Sequence, residues 1–248
     1  METSSVLAAD CFLLAGRLLM QSGAETYRAE DTMLRMARSQ GYQDAQSFVT
    51  PTGIIFSAGH ESPTRIAQIP RRATDLSKIA AINAISRALT ANQLTLEEAY
   101  EQLKALENKN LFPSELAQVI FAAIASGCFV ILFMGSVWDM PAAAVAGGVG
   151  HWVCLRMNAI TKVKFFAEFT ASIAVGILTI LALHFGLGVE EDKIIIGAVM
   201  PLVPGVPIAN AVRDMMAGHF VSGVTKGAEA SLTALAIGSG IAFVLILF

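Results

Sequence analysis

The residues best placed to do chemistry lie in one stretch, Met200 to Asp214, reading MPLVPGVPIANAVRD. Its polar groups are Asn210, Arg213 and Asp214. Its breaks are Pro201, Pro204 and Pro207, with Gly205 beside the middle proline. Interior prolines remove backbone donors and clash with the preceding turn, so a helix entering this stretch must break. In an apolar segment, broken backbone is tolerated only where protein or a water-lined cavity satisfies it, and transporters use such discontinuous helices to hold solutes and ions. If helix resumes after Pro207, Asn210 and Asp214 share a face. The new helix N-terminus, with free N–H donors and partial positive charge, can receive a carboxylate. This reading has a carboxylate-bearing solute meeting the backbone of residues 205–209, with Asn210 beside it; Asp214→Asn is then expected to reduce transport and leave the fold intact. The same residues can instead make a kinked packing helix ending in a surface Arg213-Asp214 turn.

Elsewhere the chemistry is sparse. His60 beside Glu61 reads as a surface pair, and there is no Walker A loop, nucleophile elbow, HExxH or Cys-x-x-Cys. An enzyme is not expected, nor a cofactor or a metal. Cys11, Cys128 and Cys154 stand singly and read as small buried hydrophobes. A net charge of −3 without a basic cluster gives no reason to expect nucleic acid. Arg65, Arg71 and Arg72 either line an anion entrance or form a solvated basic face. Glu168 and Glu229 sit near the ends of apolar runs, where snorkelling or an interfacial pair is expected rather than a proton relay. His151 lies in a small-residue run and reads equally as a functional group at depth or as an interfacial one.

The elements that must position these residues follow from composition and spacing. The chain of 248 residues is 54% hydrophobic and only 15% charged, with a mean hydropathy of +0.60, whereas soluble domains carry about 25% charge. The deficit falls in the second half. The expected fold is therefore an α+β cytosolic domain, residues 1–113, followed by a polytopic α-helical membrane domain of five spans, residues 114–248, the fourth span broken by prolines. In the first part, Leu7, Cys11, Leu14 and Leu18 predict an amphipathic helix over 4–21, and a second helix follows over 24–39. Its first turn holds Glu25, Arg28 and Glu30, an ion-paired helix start. Runs at 45–50, 53–58 and 64–69 predict three short antiparallel strands. Thr74 or Asp75 caps a helix to Leu89, and Thr95 starts another to Asn108. The expected spans are 115–136, 139–157, 166–187, 194–212 and 228–248. Arg156, Lys162, Lys164, Arg213 and Lys226 fall on one side of them, which places the N-terminal domain in the cytoplasm and the C-terminus outside. Glu2, Asp10 and Arg17 argue against a signal peptide.

Two stretches carry a resemblance: LMQSGAETYRAEDTMLRMA near the start and VMPLVPGVPIANAVRDMMAGHFVSGVTKGAEA in the membrane half. With the soluble domain leading into five spans, the chain resembles the threonine/serine exporter family, and within it the split type whose N-terminal half is a separate protein. The resemblance implies gradient-driven export of small polar carboxylates, threonine and serine or a dicarboxylate such as succinate. It also implies a bacterial cytoplasmic (inner) membrane location, contact with membrane lipid, a separate small membrane subunit as second half, and a higher oligomer. Carried over residue by residue, it marks Pro204, Gly205, Pro207, Asn210, Asp214, Gly218 and His219 as membrane candidates for binding or transport, and Gly23, Ala24, Glu25 and Arg28 as the cytosolic signature. The competing reading is a membrane-anchored sensory or regulatory subunit whose cytosolic domain binds a ligand.

Overall fold

A computed structural model describes residues 2–59, 62–109 and 111–248, with side chains from Val6 onward. The expected His60-Glu61 pair lies outside the described residues. Among the described residues there are ten α-helices, two short 3-10 turns and three strands. They form two compact units, one of Met1–Phe112 with Val206–Gly227, the other of Pro113–Gly205 with Ala228–Phe248.

The first unit is built around α1 (Glu2–Gln21). Its residues from Ala8 to Met20 are buried on nearly every side, so the helix expected there is central to the unit, with a wider buried surface than the single face of its apolar spacing. Around it stand α2 (Thr26–Ser39), α3 (Leu76–Thr90) and α4 (Leu96–Asn108). The antiparallel meander β1 (Gln46–Val49), β2 (Gly53–Ser57), β3 (Arg65–Gln68) packs with them. Phe12 anchors the core, meeting Tyr42 and Phe56 edge-on at ring separations of 5.9 and 6.1 Å. Asp75 caps α3 through Lys78 N–H at 2.9 Å. Thr95 and Glu98 close a reciprocal capping box on α4. Arg65 is spent on Asp10, and Arg72 donates to the Pro51 carbonyl at 2.6 Å.

The second unit contains α5 (Glu115–Leu132), α6 (Met140–Thr161), α7 (Lys164–His184), α8 (Glu191–Val199) and the latter part of α10 (Phe220–Leu247). Its helices close on one another through small residues. A Cβ on Gly147 of α6 would lie 1.9 Å from Ser126 Oγ of α5, and one on Gly240 of α10 would lie 2.0 Å from Ser172 Oγ of α7. Ala142, Ala143, Ala146, Gly148 and Gly150 of α6 are buried as well, which fits the small-residue interfaces of membrane helices. Large apolar side chains such as Phe121, Leu132, Leu181 and Phe243 point outward.

The expected α+β domain followed by five spans is overturned. The chain is mainly helical, and its strands make one small sheet among helices instead of a separate α+β domain. Among the described residues, three helices are long and apolar enough to cross a membrane: Glu115–Leu132, Lys164–His184 and Phe220–Leu247. The broken pair Glu191–Leu202 and Gly205–Met216 makes a fourth if counted as one span. Helix α6 has the length, 22 residues, but its glycines with His151, Arg156 and Asn158 dilute its hydropathy. The expected second span, 139–157, is therefore not among the helices that meet both conditions.

Candidate functional site

The chain breaks where the prolines predict. After α8, a 3-10 turn at Met200–Leu202 ends at Val203, Pro204 follows, and α9 (Gly205–Met216) starts at Gly205. Helix thus resumes before Pro207, which falls in the first turn of α9, where a missing N–H costs no intrahelical bond. Gly205, Val206, Ile208 and Ala209 are exposed, while Asn210, Ala211 and Asp214 form the buried face. Asn210 and Asp214 do share that face.

Two glycine turns present the partners. Helix α1 ends in a Schellman motif: Gly23 takes φ +82°, its N–H reaches Met20 O, and Ala24 N–H reaches Leu19 O. Helix α9 ends in the same way, with Gly218 at φ +86°, its N–H on Met215 O and His219 N–H on Asp214 O. The first turn delivers residues 23–26 and the start of α2. The second reverses the chain into α10, so that Lys226 returns to Asp214. The two helices of this hairpin approach closely because Gly223 lacks a Cβ, which would stand 2.9 Å from Ala211 O.

Asp214 is fully buried. Its Oδ1 accepts from Thr26 N–H at 2.8 Å, and its Oδ2 accepts from Thr26 Oγ1 at 2.9 Å and Lys226 Nζ at 2.7 Å. Lys226 also donates to Ala24 O at 3.0 Å, and Asn210 Nδ2 donates to Gly23 O at 2.8 Å. The first N–H groups of a helix lack intrahelical partners and carry its positive pole. Glu25, the N-cap of α2, gives no side-chain cap, and Asp214 caps α2 in its place. Glu25 instead receives Arg213 at 2.8 Å and Arg28 at 3.4 Å. His219 Nδ1 stands 4.0 Å from Glu30 Oε2. Burial raises the Glu30 carboxyl above its ordinary range, and nearby His219 opposes this.

Thus Gly23, Ala24, Glu25, Arg28, Asn210, Asp214, Gly218 and His219 belong to one unit, and most join one hydrogen-bonded cluster, while Pro204 and Gly205 belong to the other unit. Sequence reasoning missed Thr26 and Lys226. The Gly218 turn was a usable signal for Lys226, because a hairpin there brings residues 214 and 226 opposite each other. Nothing local marks Thr26. The second unit holds a cavity of about 590 Å³ lined by Trp138, Pro141, Val145, Leu178, Leu181 and Phe185 among others. Its wall is mainly apolar and carries no charged side chain. Among the described residues, no group of three or more His, Cys, Asp or Glu could hold a metal.

Long apolar helices closed through glycine contacts, with an interrupted helix pair, define a helical membrane protein. The chain belongs to the threonine/serine exporter family: the family model described as "putative threonine/serine exporter" matches residues 10–248. A Mycobacterium tuberculosis protein named "probable threonine/serine exporter" is 25% identical over 97% of this chain, which spans 46% of that relative's length. Proteins named "probable succinate transporter subunit YjjP" from Klebsiella aerogenes and Escherichia coli are 25% and 23% identical, with 87% and 90% of their own lengths covered. No solved structure matches.

Proposed function

We propose that the chain is one half of a secondary exporter of small carboxylates, threonine and serine or a dicarboxylate such as succinate. It works with a separate small membrane subunit in the bacterial inner membrane, with its N-terminus cytoplasmic and its C-terminus outside. The observation carrying this reading is the proline break at Val203-Pro204, followed at once by the exposed first turn of α9. Free N–H donors at a helix start, with the positive end of the helix dipole, are suited to a carboxylate. Pro204, Gly205 and Pro207 then keep that backbone open to the solute. Asn210 and Asp214 hold α9 on the 23–26 loop, and Gly218 and His219 turn the chain into α10. The relatives named as succinate transporter subunits support the reading that a partner subunit is needed. The activity is transport, not catalysis.

Proteoliposomes holding this chain with its partner subunit should take up labelled threonine, serine or succinate. Failure to move all three, with and without a pH gradient, sinks the proposal.

A further inference from the structure

The second unit contains an acidic group that the break at Pro204 does not explain. Glu168 lies in the second turn of α7, on the face that carries Ala167, Ala171, Ser172, Val175 and Thr179 into the unit, and is only 6% exposed. Its neighbour Glu229 meets Lys164 at 3.2 Å, so of the two readings expected for these acids, snorkelling or an interfacial pair, Glu229 takes the pair, and among the described residues no ion pair forms at Glu168. Thr233, one turn further along α10 and fully buried, faces the Glu168 carboxyl. Among the described residues, Glu168 Oε2 and Thr233 Oγ1 both lack a hydrogen-bond partner. The other titratable groups in electrostatic reach are Lys164 on α7, Glu229 on α10 and Cys154 on α6. Lys164 is the one cation among them, and Glu229 holds it.

A buried ionised carboxylate whose one nearby cation is paired with a second acid is costly, and burial favours its neutral form. Ionisable groups inside membrane helices are accordingly rare and mark ion and proton pathways. The oxygens present here favour a proton over a metal cation. Hard cations take six or more oxygen ligands, whereas this position offers a carboxyl and one hydroxyl; Ser172 Oγ is already engaged with Phe169 O at 2.8 Å.

We propose that Glu168 is the ion-coupling residue of the transport cycle, binding one proton on its carboxyl with Thr233 Oγ1 as acceptor of the resulting hydrogen bond. The O–H bond forms with a proton taken from water on one side of the membrane and breaks when that proton passes to water on the other. The assignment rests on the transport reading, yet protonation of Glu168 is measurable without it.

Infrared difference spectra of the full-length protein in lipid nanodiscs at neutral pH should show the carbonyl stretch of a protonated carboxyl group that is lost in Glu168→Gln. Glu168→Asp should keep the band at a shifted position, which covers the case where Glu168→Gln fails to fold. In proteoliposomes, wild-type flux should rise with an imposed pH gradient, and Glu168→Gln should lose that response. A band untouched by Glu168→Gln and unshifted by Glu168→Asp overturns the assignment, as does a pH response that survives Glu168→Gln. If the band behaves as expected while wild-type protein moves no substrate, the proton site stands and the export reading fails.

Discussion

Asp214 and Glu168 are both carboxylates buried on helices of one apolar chain, and their surroundings are opposite. Asp214 meets a helix N-terminus, a hydroxyl and a lysine within 2.9 Å. Glu168 keeps an oxygen with no partner, beside a lysine held by another acid. A satisfied buried charge fixes structure, because removing one partner strands the other. An unsatisfied one is free to change its protonation without breaking a network. The contrast separates a structural carboxylate from one available for ion coupling, and it changes the expectation for Asp214→Asn, whose first effect falls on stability.

The largest predicted effect follows from this. Asp214→Asn leaves an amide oxygen to accept from Thr26 N–H but removes the negative charge that Lys226 meets, with a loss of about 3–5 kcal/mol, read by thermal unfolding in detergent. Adding Lys226→Met should recover part of that loss, since the stranded charge is then gone. A double variant no better than the single one would mean that the ion pair is not what the cluster depends on. Next, Gly223→Ala should cost about 1–3 kcal/mol by pushing the α9–α10 hairpin apart and should reproduce a weaker form of the Asp214 defect. Gly218→Ala should cost about 1–2 kcal/mol through its left-handed backbone, checked in the same assay. Arg213→Ala should be smallest, below about 1 kcal/mol, because its side chain is 58% exposed and such pairs are screened by solvent. A large loss there would move the weight of the cluster from Asp214 to Glu25.

Much of the first unit was legible in the sequence. The three strands fall within the predicted runs, and Asp75 and Thr95 cap the helices that their side-chain chemistry predicts. These are local signals, decided by residues three or four positions apart. The break at Pro204 was legible for the same reason. Four features were not. Helix α1 is buried on nearly every side because three helices and a sheet enclose it, which spacing along one helix cannot reveal. Helix α6 contains a short apolar run that reads as a span, but its full 22 residues carry glycines and polar groups that dilute its hydropathy. Thr26 pairs with Asp214 across 188 positions, and no property of Thr26 itself distinguishes it from any other helix-start threonine. Likewise Glu168 and Glu229 occupy similar sequence settings, and only the three-dimensional position of Lys164 separates them.

The most direct measurement compares the thermal unfolding midpoints of Asp214→Asn and Glu168→Gln with the wild type in one detergent. The account predicts a fall of roughly 10 °C for Asp214→Asn and a midpoint unchanged or raised for Glu168→Gln. Equal losses, or a larger loss for Glu168→Gln, would contradict the division between a structural and an ion-carrying carboxylate.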